Sequence, residues 1–200
     1  MRVIHIFDVE SGKKLHTLEG HFLAFSPDSK IIVTMSMSND KFFQFWDTES
    51  GAELRKFKGY FLNFSPDGNK VAMIRDGEIE IVRILNADSG KELYKLKGYL
   101  ANFSPDGKKI VTGSLNHPAA IWDADSGKKL HVLKVGLRPR FSSDGKRIIT
   151  DDSDNMTRVW DAESGKNLLT LREQLLAFSP DGKRIATAPE EGSIRIWTLE

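Results

Sequence analysis

Apolar residues in this chain come in short bursts, such as Ile31–Thr34, broken every few residues by Pro, Asp, Ser and Gly. No stretch sustains apolar residues at spacings of three and four, so no helix is expected. The unit that opens near Tyr99 displays the pattern. Leu100–Phe103 reads as a first strand. Ser104 to Gly107 (SPDG) reads as a tight turn, in which Pro presets φ and Gly supplies the left-handed residue. Lys109–Thr112 is a second strand, Ala119–Trp122 a third and Lys129–Leu133 a fourth, with Asp123 to Gly127 (DADSG) turning the chain between the last two.

The pattern recurs. FSPDG-like strings begin at Phe25, Phe64, Phe103, Phe141 and Phe178, at offsets of 39, 39, 38 and 37 residues. ESG or DSG strings keep step at Glu10, Glu49, Asp88, Asp125 and Glu163. Four-stranded antiparallel units of this length cannot bury both sheet faces alone, and radial stacking solves that problem. The expected fold is all-β: a β-propeller of five four-stranded antiparallel repeats filling residues 1–200 as a single domain. First strands are expected near 22–25, 61–64, 100–103, 138–141 and 175–178. Phe25, Phe64, Phe103, Phe141 and Phe178 should take the faces between blades.

Trp46-Asp47, Trp122-Asp123 and Trp160-Asp161, with the FSPDG turns and the SGK strings, resemble the WD-repeat (tryptophan–aspartate) β-propeller family, in the bacterial type with FSPDG and WDxxSGK repeats. Phe7-Asp8, Leu85-Asn86 and Trp197-Thr198 fill the same slot in degenerate form. The resemblance implies a rigid ring that holds protein partners on its loop face. It also implies a buried hydrogen-bond network of His21, Ser38, Asp40 and Trp46.

Two features depart from the family pattern. Only Gly20-His21 keeps the Gly-His pair; Gly59-Tyr60, Gly98-Tyr99, Gly136-Leu137 and Glu173-Gln174 replace it, in shortened connections. A link of four residues at ~3.4 Å each would just cross three strand spacings of ~4.8 Å, so taut, extended links are expected. The strand count also fails to close. Val3–Phe7 reads as a third strand and Lys14–Leu18 as a fourth, while Ser193–Trp197 is again a third. Lys14–Leu18 could complete the last blade, leaving one strand surplus. Three arrangements stay open: a closed five-bladed ring, the C-terminal part of a larger propeller, or two chains completing each other. An open arc implies self-association through its exposed faces.

Charge and composition narrow the function. Lys+Arg 29 against Asp+Glu 28 leaves a net charge of +1, which points to neither nucleic acid nor an anionic membrane. The chain has no Cys, so disulfides and thiolate chemistry are excluded. No apolar run is long enough to span a bilayer as a helix, and the expected location is the cytoplasm. The five His residues, 5, 16, 21, 117 and 131, show no metal-binding spacing. His16 and His131 share one repeat position and read as edge histidines. The acids Asp151, Asp152 and Asp154, and Glu190 with Glu191, read as solvated loop charges. The Asp of each SPDG turn reads as turn geometry. No G-x-S-x-G or phosphate loop occurs.

The expected function is a non-catalytic protein–protein interaction scaffold without cofactor or metal. The alternative is a small-ligand-binding or enzymatic propeller using the central channel or top face. The connections at one end of the sheets vary between repeats, whereas the SPDG and DSGK turns at the other hardly change. Partner binding is therefore expected at His21, Tyr60, Tyr99, Arg138 and Gln174. The fourth connection, Val135 to Phe141, is one residue longer than its siblings and brings in Arg138, Pro139 and Arg140 as a basic spot.

Overall fold

The computed structural model describes residues 2–36, 41–78, 80–134, 137–151, 156–189 and 192–199. Every regular element among them is a strand, 21 in all. β1 (Val3–Phe7) and β2 (Lys14–Glu19) form a two-stranded sheet. β3 (His21–Phe25), β4 (Ile31–Met35), β5 (Phe42–Asp47) and β6 (Glu53–Lys58) form the first four-stranded sheet. β7 (Tyr60–Phe64), β8 (Lys70–Ile74), β9 (Ile81–Asn86) and β10 (Glu92–Lys97) form the second. The third holds β11 (Leu100–Phe103), β12 (Lys109–Gly113), β13 (Ala119–Asp123) and β14 (Lys129–Leu133). The fourth holds β15 (Leu137–Phe141), β16 (Arg147–Asp151), β17 (Thr157–Asp161) and β18 (Asn167–Leu171). The fifth has three strands, β19 (Gln174–Phe178), β20 (Arg184–Ala188) and β21 (Arg195–Thr198). Strand order follows chain order in each sheet, as a meander requires. The chain divides into two compact units, residues 1–95 and 96–200.

The all-β, propeller-type repeat expected from the sequence is therefore present. The strand count stays unequal, with the surplus third and fourth strands paired to each other as β1 and β2. Register within the third sheet shows the geometry: Leu100 faces Gly113, Lys109 faces Asp123 and Ala119 faces Leu133. First-strand starts, second-strand ends, third-strand starts and fourth-strand ends thus share one edge of the sheet. The two tight turns share the other.

Those turns are held by side chains. Ser104 Oγ donates to Asp106 Oδ1 at 2.6 Å, and Asp106 also accepts the Lys108 N–H at 3.0 Å. Ser104 Oγ in turn accepts the Lys109 N–H at 2.9 Å. The same set recurs at Ser26–Asp28, Ser65–Asp67, Ser142–Asp144 and Ser179–Asp181. In the second turn, Asp123 Oδ1 accepts both the N–H and the hydroxyl of Ser126, at 2.8 and 2.6 Å. Asp8, Asp47, Asn86 and Asp161 repeat it. The near-invariance of these turns thus has a local cause: each residue type satisfies a named backbone group.

The core lies between successive sheets. In the first unit, Val33, Phe43 and Phe45 pack with Val71, Met73 and Leu85, and Phe61 and Phe64 close over them. In the second unit, Val111, Ile121 and Leu133 pack with Ile148, Trp160 and Phe141. Ile149 and Val159 pack with Leu175, Ile185, Phe178 and Trp197. Phe64, Phe141 and Phe178 thus occupy the expected faces. Phe25 does not, being 52% exposed. The hairpin β1–β2 sends Leu18, Ile4 and Ile6 onto Ile32 and Trp46, but it supplies only third- and fourth-type strands. The second-strand partner that Phe64 finds at Val33 has no counterpart for Phe25.

The connections also differ from the taut four-residue links expected. β2 and β3 are separated by Gly20 alone, and β6 and β7 by Gly59 alone. The end of the fourth strand runs directly over the end of the next sheet's second strand. A Cβ on Gly59 would lie 2.1 Å from the Ile74 carbonyl oxygen, and one on Gly98 would lie 2.7 Å from Thr112 Cβ. Glycine is needed there for close approach, and φ is +127° at Gly59 and +148° at Gly98. His16 and His131 have a more specific role than edge residues. Each ring Nε2 lies 2.7 Å from the carbonyl oxygen of the next sheet's turn, at Glu49 and Glu163.

Candidate functional site

The variable edge of each sheet collects the residues that differ between repeats. His21 opens β3, half-buried, with its Nδ1 3.5 Å from Arg2 Nη1. Tyr60 opens β7, and Lys41 Nζ sits 5.2 Å from its ring centroid. Tyr99 precedes β11, is 52% exposed, and is held by its N–H donating to Gly113 O at 2.8 Å. Arg138 is exposed within β15, and Gln174 is exposed at the start of β19. His21 and Tyr60 belong to the first unit; Tyr99, Arg138 and Gln174 belong to the second. His21, Tyr60, Tyr99 and Gln174 stand at equivalent positions in their repeats; in the fourth repeat that position is Leu137, and Arg138 follows it.

Beneath this edge runs a buried pair that the sequence reading missed. Trp46 Nε1 donates to Thr34 Oγ1 at 2.8 Å. Trp122 donates to Thr112, Trp160 to Thr150 and Trp197 to Thr187, at 2.8, 2.9 and 2.8 Å. Thr112 passes its own proton to Lys97 O at 2.8 Å. In the fifth repeat the Thr187 hydroxyl donates instead to the Glu173 carboxylate, which also pairs with Arg195. The signal was in the sequence: a second-strand Thr lies 12 or 10 residues before each Trp. Where Leu85 replaces Trp, Met73 replaces Thr, and both join the apolar core. Of the expected network of His21, Ser38, Asp40 and Trp46, Ser38 and Asp40 lie outside the described residues. So do Asp152, Asp154, Glu190 and Glu191.

The fourth repeat is the exception among the edges. In β15 the register shifts between Leu137 and Arg140, as it does in β3, β7 and β19, but here Arg138 adopts φ +45°. Such a conformation costs a non-glycine residue about 1–3 kcal/mol. The twist turns Pro139 into the core and leaves Arg138 and Arg140 outward. Asn102 Nδ2 from neighbouring β11 anchors the bulge by donating to Pro139 O at 2.9 Å. Asp151 ends β16, opposite Leu137. It is half-buried strand rather than the solvated loop acid expected from the sequence. Arg140 Nη2 lies 3.6 Å from its Oδ2, while its Oδ1 is buried without a hydrogen-bond partner among the described residues. Burial pushes the Asp151 carboxyl above its ordinary range, against the opposing pull of Arg140 and Arg138.

The remaining titratable clusters are structural. Arg83, buried in β9, is bridged by Glu78 and Glu92. Hydrogen bonds from Ser26, Ser65, Ser104 and Ser179 hold the carboxyls of Asp28, Asp67, Asp106 and Asp181 below the ordinary range. Among the described residues, no group of three or more His, Asp or Glu is arranged to hold a metal ion. No helix of the described residues is long and apolar enough to cross a membrane.

The family model "WD domain, G-beta repeat" matches residues 12–47 and 175–198. These matches support the WD-repeat family at the level of its repeats. Repeats of this kind typically mediate protein–protein interactions and are generally non-catalytic. No curated protein matches the chain.

Proposed function

We propose that this protein is a non-catalytic interaction scaffold of the WD-repeat type, acting in the cytoplasm. In this reading its repeats, of the bacterial FSPDG and WDxxSGK type, form one β-propeller domain, either a closed ring or part of a larger one. Partner proteins dock on the variable edge of the sheets, at His21, Tyr60, Tyr99 and Gln174, which stand at matching repeat positions, and at Arg138, one residue further along its strand.

The observation that carries this reading is the contrast between the two edges of each sheet. One edge is locked by Ser and Asp side chains whose hydrogen-bonding capacity is used on their own turns. Residues so committed offer little to a partner. At the other edge, single side chains change from repeat to repeat on a backbone held from below by Thr–Trp pairs, or in the second repeat by Met73 and Leu85 in the apolar core. A rigid support with variable termini suits recognition. Tyr and Arg are the residue types that most often dominate binding energy once a partner buries them.

The test is a titration of a captured partner against a variant carrying Tyr60→Ala, Tyr99→Ala and Arg138→Ala. The variant should keep the parent's melting temperature and lose at least about tenfold in affinity, since one residue of this kind contributes about 2 kcal/mol. Unchanged binding by that variant, together with loss on altering the SPDG or DSGK turns, would place the site at the opposite edge.

A further inference from the structure

The other repeats serve as internal controls for the fourth. At the sequence position of Arg138 they carry Phe22, Phe61, Leu100 and Leu175, and at that of Arg140 they carry Ala24, Asn63, Asn102 and Ala177. Opposite the first residue of the strand, where β16 has Asp151, they have Met35, Ile74, Gly113 and Ala188. Three charged residues have thus entered one sheet edge at positions that are otherwise uncharged. They come with a strained residue and a carboxylate oxygen that no group among the described residues satisfies. None of this serves the core, which the sister repeats build without it. Strain and unpaired buried polar atoms persist where something outside the fold uses them.

We propose that the β15–β16 edge is a recognition site for an acidic peptide segment of a partner protein. Arg138 and Arg140 receive a carboxylate of that segment, and the partly exposed carboxylate of Asp151 accepts one of its backbone N–H groups. The assignment rests on the scaffold reading above and narrows it to a chemistry. Arg138 and Arg140 are both exposed, on either side of buried Pro139, so one short stretch presents two guanidinium groups to solvent. Guanidinium groups match carboxylates in geometry and charge. The salt contact between Arg140 and Asp151, at 3.6 Å, is too long to consume the donors of Arg140. Asp151 decides against a phosphate. A phosphate monoester dianion offers no donor to the Asp151 carboxylate and is repelled by it more strongly than a singly charged side-chain carboxylate is. A peptide brings its anionic side chain and its N–H groups on one chain.

The experiment is selection of random 12-residue peptides displayed on phage against the whole protein, followed by titration of synthetic peptides from the enriched clones. Enriched peptides should be rich in Asp and Glu, and their affinity should fall as salt rises. The variant Arg138→Leu with Arg140→Asn restores the residues of the third repeat and should keep the fold. It should bind these peptides about ten- to a hundredfold more weakly, as expected for losing charge-assisted hydrogen bonds. Asp151→Ile, the residue of the second repeat, should melt higher than the parent and still bind more weakly. Together these outcomes establish the site. Selected peptides without acidic enrichment, or acidic ones indifferent to the arginine substitutions, overturn it and leave the scaffold reading standing with its contacts elsewhere. Displacement of the peptides by millimolar inorganic phosphate but not by acetate also overturns it, in favour of a phosphoryl ligand.

Discussion

Trp122 is 7% exposed, and its indole nitrogen has one acceptor, the Thr112 hydroxyl. That hydroxyl is itself spent on Lys97 O. Thr112→Val keeps the shape but leaves a buried N–H unpaired and removes the hydrogen bond to Lys97 O, so it should cost about 1–3 kcal/mol. Trp122→Ala should cost about 3–5 kcal/mol through the cavity it opens. In the Trp122→Ala background the Thr112→Val change should cost less than it does alone, because the donor is already gone. Urea unfolding of the two single variants and the double variant measures all three. The turn aspartates give a second expectation. Serine hydroxyl and backbone N–H bonds depress the carboxyls of Asp28, Asp106 and Asp181. A depressed folded value means stability that is present above the unfolded value, about 3.9, and lost as pH falls through the folded one. The melting temperature should therefore drop below about pH 4, and less steeply in a Ser104→Ala variant, which starts lower. Asp151 has the opposite sign, because burial raises its carboxyl. Its charge costs stability at neutral pH, and the cost disappears as pH falls through the raised value. The gain in melting temperature from Asp151→Ile should be largest near neutrality and shrink in acid.

At the scale of the element, the narrowest constraint is the passage of one sheet's last strand over the next sheet's second strand. Gly59 lies against the Ile74 carbonyl with no room for a methyl group, at a φ that side chains avoid. Gly59→Ala should cost about 2–4 kcal/mol from strain and overpacking together. Gly77→Ala gives the control, since its φ is also positive while a Cβ there meets nothing within 4 Å. The comparison by thermal melting separates backbone strain from steric contact. Expectation and structure differed most at this element. Strand spacing suggests a four-residue bridge, but a strand whose end already overlies its neighbour needs one glycine.

Across the whole molecule, burial is distributed by strand rank. Second and third strands are buried along most of their length, as in β12 and β13. Fourth strands are mostly exposed, β6 most of all, and β1 and β21 are the least covered of the third strands. Repeat proteins draw their stability from each unit and its neighbour interfaces, and hydrogen exchange reads that gradient. Peptides covering β8, β9, β12, β13, β16 and β17 should exchange slowest, and those covering residues 3–7 and 195–198 fastest. Uniform protection across all strands would contradict this account.

The strands, their antiparallel order and both tight turns were legible in the chain itself, because the codes that make them are local. Pro, Asp, Ser and Gly act on backbone groups within about five residues, and a repeat states the same code several times over. The unequal ends were legible for the same reason, since Val3–Phe7 and Ser193–Trp197 carry one strand type. Three features depended on partners distant in the sequence. Thr34 became the acceptor for Trp46 because adjacent strands bring positions 12 residues apart into contact. Phe25 stayed exposed where Phe64 is covered, because the coverage of a sheet face depends on which strands lie opposite it. Asp151 left the loop and entered the strand edge near Arg140, because the pairing of β16 with β15 extends as far as Leu137. Local hydrogen bonding follows from neighbours in the chain; burial and charge pairing follow from neighbours in space.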